Sequence, residues 1–150
     1  MVIQKKGEIF ILLLMEKPDT VHPNTGEKGN LLIMKKKSTG YEEVKYISFP
    51  KSLSFLDYSD IAYDGKRLAV LSQESSAVYI AELSDTWNLN HNGNIYYFPI
   101  YNNYPVYCNL EGITFINETT LGLVSDSSKK KQPSHCKEKS EMFHIWKIRE

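Results

Sequence analysis

The sequence predicts an all-β fold, a β-propeller fragment of about three four-stranded blades, the last blade incomplete. Three observations predict it. Strand-like segments recur at fixed offsets along the 150 residues, and a repeat of about 50 to 60 residues fits blade-like arrays. Short apolar runs end in turn chemistry such as Asp64-Gly65 and Gln73-Glu74-Ser75-Ser76, as strands do. No stretch holds a convincing helical period, although Tyr58–Leu71 mixes patterns.

The middle copy is clearest. Its strand a is Ser59–Tyr63, strand b Lys66–Ser72, strand c Ala77–Leu83 and strand d Asn94–Ile100, reached through an Asn-rich loop. The third copy follows the same order. Glu111–Phe115 lies on Ser59–Tyr63 at an offset of 52, Leu121–Ser128 on Leu68–Ser75 at 53, and Phe143–Ile148 on Val78–Leu83 at 65. The extra residues of this copy fall in one loop, Ser127 to Glu141. The first copy places Met1–Glu16 ungapped on Glu111–Asp126 at 110, and Leu31–Met34 on Val78–Ala81 at 47. Its apolar run Ile9–Met15 reads as strand b, and Glu42–Phe49, stopped by Pro50, as strand d. The blades therefore span approximately 1–50, 57–100 and 108–150. The central strands are expected at Ile9–Met15, Lys66–Ser72 and Thr119–Ser125. The competing architecture is a β-sandwich of about nine to eleven short strands, but a sandwich has no reason to repeat strand by strand.

Composition narrows the function. Lys plus Arg and Asp plus Glu are 18 each, so the formal net charge is zero. Nucleic-acid binders use a basic field that this chain lacks. The longest apolar run, Ile9–Met15, has seven residues, against about 20 for a spanning helix. Lys5 and Lys6 ahead of that run imitate a signal peptide. Glu8 interrupts the pattern, and Glu16-Lys17-Pro18-Asp19 stands where small residues should mark cleavage.

Several segments resemble a known family. Leu68–Ser76 is similar to the second blade strand of SdiA-regulated and esterase-like-phytase-like β-propeller proteins. Tyr107-Cys108-Asn109-Leu110-Glu111-Gly112-Ile113 resembles their N-x-E-G-I blade opening, and Leu123–Lys129 their V-S-D-x-x-K strand end. The resemblance is strongest from Asp60 to Ile148 and implies a longer, complete propeller, with this chain as its C-terminal half. It assigns no catalytic residue.

Blade topology gathers candidate site residues. Strand a leaves one face and strand b returns to it, so the start of a and the end of b are neighbours. Asp60 and Glu111 stand at starts of strand a; Glu16, Glu74 and Asp126 stand at ends of strand b. Five carboxylates are thus expected on one rim. Such oxygens can hold Ca²⁺, with Glu111 and Asp126 the best metal candidates, and a cation there could polarise an ester or phosphoester. The structural reading is that strand-end acids cap turns. Lys129 and Lys130 share the rim, either as solvated loop charges or as holders of a small anionic ligand.

Cys108 precedes strand a and Cys136 lies in the b–c loop on the same side, so a disulfide is geometrically reasonable. Together with the acceptor triplet Asn117-Glu118-Thr119 it tilts a parent protein toward a secretory or extracellular compartment. No G-x-S-x-G elbow, P-loop or H-E-x-x-H occurs, and the repeat sets no histidine beside Ser59 or Ser125, so a serine triad is not expected. Three functions follow: a ligand- or partner-binding scaffold working through the acidic rim, a cation-dependent esterase or phosphoesterase, or a fragment without independent function. Three blades cannot close a ring of four to eight. The expected partners are therefore the remaining blades or a second copy of the chain.

Overall fold

The computed structural model describes residues 1–5, 7–15, 30–127, 134 and 141–148. The chain is all-β. Strands β1 (Val2–Lys5), β2 (Glu8–Leu14), β3 (Leu31–Lys37) and β4 (Gly40–Ile47) form the first antiparallel sheet, in sequence order. Strands β5 (Asp60–Tyr63), β6 (Arg67–Ser72), β7 (Ala77–Glu82) and β8 (Asn94–Tyr97) form the second in the same way. A small hairpin, β9 (Ile100–Tyr101) and β10 (Tyr104–Pro105), leads to the third sheet. That sheet has three strands, β11 (Leu110–Asn117), β12 (Thr120–Ser125) and β13 (Phe143–Lys147). The sheets are not closed into a ring.

The repeat is kept at the level of hydrogen-bond register. Ile61 pairs with Val70 in the second sheet and Ile113 with Leu123 in the third, the partners expected at offsets of 52 and 53. Leu68 pairs with Ala81, and Leu121 with Trp146, again as the offsets require. Register decides which face each side chain joins, so matching registers give matching faces.

One expectation is corrected here. The ungapped placement of Met1–Glu16 requires Ile3 to oppose Leu13, yet Ile3 opposes Phe10. The cause is the turn. Lys5 pairs with Glu8, leaving a two-residue connection in which Gly7 takes φ +78°, a conformation glycine adopts without a Cβ clash. In the third sheet Asn117 opposes Thr120 across its own two-residue turn, but β11 carries irregularities between Leu110 and Gly112 and between Phe115 and Asn117. At offset 110 the Lys5–Glu8 turn falls two residues ahead of the Asn117–Thr120 turn, and this displaces the partner of Ile3 from Leu13 to Phe10.

The sheets stack, and the middle one is covered on both faces. Leu68, Val70, Tyr79 and Ala81 point toward the first sheet and join Phe10, Leu12, Leu31 and Ile33 in one core cluster. Ala69, Leu71, Val78 and Ile80 point the other way and join Leu121, Leu123 and Ile113 of the third sheet. Alternation along a strand sends neighbours to opposite faces, so both faces can be apolar only if the strand reads as one unbroken apolar run. Leu68-Ala69-Val70-Leu71 is that run, and all four residues are fully buried. Burial of each large side chain stabilises by about 1.5–3 kcal/mol.

Aromatic residues fill the gaps between sheets. Phe10 meets Trp87 at 5.0 Å between ring centroids, and Phe98 meets Trp146 at 5.1 Å. Trp87 adopts φ +61° in the loop after β7, and Lys5 lies 4.6 Å above its ring while pairing with Asp85 at 2.6 Å. The first sheet is thereby anchored to the second at its turn end.

Candidate acidic rim

The rim is built from the residues before β5, after β6 and before β11. Asp57 organises the first two. Its Oδ1 accepts hydrogen bonds from Ser72 Oγ at 2.5 Å and from the Glu74 backbone N–H at 3.0 Å; its Oδ2 accepts from Ser59 Oγ at 3.2 Å. Ser59 Oγ in turn accepts from the Gln73 N–H at 3.0 Å. A short acid within reach of a turn's N–H groups replaces the ladder bonds that end with the strand, and here it fixes where Glu74 begins its side chain.

Asn109 occupies the equivalent position in the third copy, 52 residues after Asp57. It takes φ +57°, donates Nδ2 to Ser127 O at 2.8 Å, and its carbonyl accepts from the Asp126 N–H at 3.0 Å. Its Oδ1 also accepts from Gln73 Nε2, across the sheet boundary. The two pinning residues thus share one repeat position, and a glutamine joins one copy's loop to the next copy's pin.

Of the acids expected together, Asp60, Glu74 and Glu111 line a single cavity of about 520 Å³, with Asp57, Gln73, Ser59 and the apolar Leu12 and Leu14. Asp60 is half-buried; Glu74 and Glu111 are exposed. Asp60 Oδ2 accepts from the Ile113 N–H at 2.9 Å, so this acid also ties the second sheet to the third. Asp126 lies at the same strand end, with Oδ1 accepting from the Ser127 N–H at 2.6 Å in the manner of a turn cap. Glu16, Lys129, Lys130 and Cys136 lie outside the described residues. Cys108 is disulfide-bonded. Among the described residues no three of His, Cys, Asp and Glu gather closely enough to hold a metal ion.

A second concavity, about 970 Å³, runs beside the first along β5 and β11, from Asp60 and Ile113 to Arg67 and Glu118. Its far end is closed by Arg67. The guanidinium donates to both Asp64 Oδ2, at 2.7 and 2.8 Å, and Glu118 O, at 2.7 Å, and lies 4.8 Å from the Phe115 ring centre. Burial pushes the Asp64 carboxyl up, but the Arg67 and Lys66 backbone N–H groups and the Arg67 guanidinium outweigh it, and the acid is held below its usual range.

Two features escape the sequence. Asp57 stands in no motif and is visible only through the bonds it collects. The expectation that no histidine stands near Ser125 is corrected: His144 Nε2 lies 3.2 Å from Ser125 Oγ. The repeat contains the signal, since His144 pairs with Leu123, two residues before Ser125. This pair is nonetheless built into the sheet. Ser125 is 6% exposed and its hydroxyl also bonds Met142 N and O at 3.3 and 3.4 Å, so the hydroxyl is committed to the end of the sheet.

Comparison with known families, curated proteins and solved structures finds no match. No helix among the described residues is long and apolar enough to cross a membrane.

Proposed function

We propose that the chain is a propeller-type binding module whose acidic rim takes a small ligand bearing a cationic group. The observation that carries the reading is the convergence of Asp60, Glu74 and Glu111 on one cavity, from three different strand ends. Stacked meander sheets that match strand by strand support the propeller reading over a sandwich, whose sheets need not repeat. The first strands β5 and β11 lie side by side, as the inner strands of neighbouring blades would. Carboxylates grouped in a concave site favour positive charge through a field that a neutral chain does not otherwise generate. Apolar Leu12 and Leu14 on the cavity wall suit the carbon skeleton of an amine.

The cation-dependent hydrolase reading rests on the same carboxylates, but Asp126, one of its two metal candidates, has Oδ1 engaged as a turn cap, and among the described residues no three metal-ligating side chains gather closely enough to hold an ion. The test is a melting-temperature titration with spermidine, a flexible polycation, and with Ca²⁺ in parallel. Binding to the folded state raises the melting temperature with ligand concentration. Wild type should respond to spermidine, and Glu74→Gln with Glu111→Gln should remove the response. A melting temperature unmoved by either probe contradicts the reading.

A further inference from the structure

We infer that the chain assembles head to tail with a second copy of itself, the outer face of the third sheet seating on the outer face of the first. Each sheet has two distinct faces. Toward the following sheet the second sheet turns Ala62, Ala69, Leu71, Val78 and Ile80, all buried. The same repeat positions in the third sheet are Thr114, Gly122, Val124, Phe143 and Ile145. Here Val124 is 44%, Phe143 57% and Ile145 65% exposed. Gly122 keeps the small character of Ala69, and the Phe143 ring lies over it, within 2.7 Å of where a Cβ would stand.

Toward the preceding sheet the second sheet turns Leu68, Val70, Tyr79 and Ala81. The same positions in the first sheet are Ile11, Leu13, Leu32 and Met34. Pairing places Val2 opposite Ile11 and Leu13 opposite Leu32 on that outer face, where Val2 is 67% and Leu13 41% exposed. A following-type face seats on a preceding-type face twice inside the chain, first sheet on second and second on third. The two faces left over are one of each type. The surface that matches each is therefore the other, on a second copy, and such a contact continues the packing rule already used inside the chain. Like faces meeting each other would break that rule. Exposed apolar faces of this kind mark interaction sites, and head-to-tail contact is the heterologous mode, closing or propagating with the rotation between copies.

The experiment is light scattering coupled to size exclusion on two charge variants, Ile145→Glu on the third sheet and Leu13→Glu on the first. Both replaced side chains are exposed, and circular dichroism checks that each variant folds; Phe143→Lys and Val2→Lys replace any that does not. Wild type should elute as an assembly. Each variant alone should run at the 17.3 kDa of one chain, because each keeps only one type of face. Mixed together they should form a complex of twice that mass, since the intact third-sheet face of one meets the intact first-sheet face of the other. A monomeric wild type overturns the inference and points to further sheets of a longer chain as the occupants. Variants that still self-associate alone, or a mixture that stays monomeric, overturn it as well.

Discussion

Asp60 Oδ2 accepts a hydrogen bond from the backbone N–H of Ile113 at 2.9 Å, joining the first strand of the second sheet to the first strand of the third. Ile113 is buried at 8% exposure, so its N–H has little water to turn to if the acid is removed. Asp60→Ala should destabilise by about 1–3 kcal/mol, the cost of an unsatisfied buried donor. Asp60→Asn keeps an acceptor and should lose less. Urea denaturation of the two variants orders them.

Arg67 makes the matching tie at the other end of these strands. Arg67→Lys keeps the charge but cannot bond Asp64 and Glu118 O together with a planar fork. It should cost about 1 kcal/mol or more by the same measurement, and Arg67→Ala should cost more because the contact with Phe115 goes too. An Arg67→Lys variant as stable as wild type would mean that the planar fork is irrelevant here.

Asp64 sets an acid limit. Its folded-state pKa lies below the ordinary aspartate value, so its contribution is fully present above the unfolded pKa and is lost as pH falls through the folded one. Melting temperature against pH should drop below about pH 4, and Asp64→Asn should flatten part of that drop. An identical acid profile in wild type and variant would contradict the assignment.

Gly93 is a position where space decides. A Cβ there would stand 2.5 Å from Ile80 O and 2.6 Å from Ala81 Cβ, both held within the second sheet. The backbone must shift to admit it, so Gly93→Ala should destabilise by about 1–3 kcal/mol. Gly65→Ala tests the other mechanism: its surroundings are open, but φ is +101°, so any loss there is backbone strain alone.

Much of the architecture was legible because apolar alternation and turn chemistry are local. The run Leu68–Leu71 and the turn at Asp64-Gly65 place β5 and β6 within one residue, and the offsets carry their register to β11 and β12. Three things were not legible. The first-strand register depended on a turn that falls two residues ahead of its place in the third copy, which an ungapped alignment of apolar positions does not reveal. The hairpin β9–β10 turns on Asn102 and Asn103, with φ of +50° and +64°; two asparagines between tyrosines are the signal, but the apolar pattern carries strand d through Ile100, where the structure ends β8 at Tyr97. The nearness of Asp60, Glu74 and Glu111, which line one cavity, was legible because antiparallel pairing brings strand ends together. The role of Asp57 was not, because side-chain hydrogen bonding across 15 residues to Ser72 leaves no periodic trace.

The second sheet is covered on both faces by its neighbours in the repeat, and native-state hydrogen exchange reads that cover residue by residue. The amides of Leu68–Leu71 and Val78–Ile80 should be the slowest in the chain, exchanging only through global unfolding, while those of Ile9–Leu13 and Phe143–Ile145 should exchange faster under conditions where the chain is monomeric. Equal or lower protection in β6 and β7 than in β2 and β13 would contradict the stack.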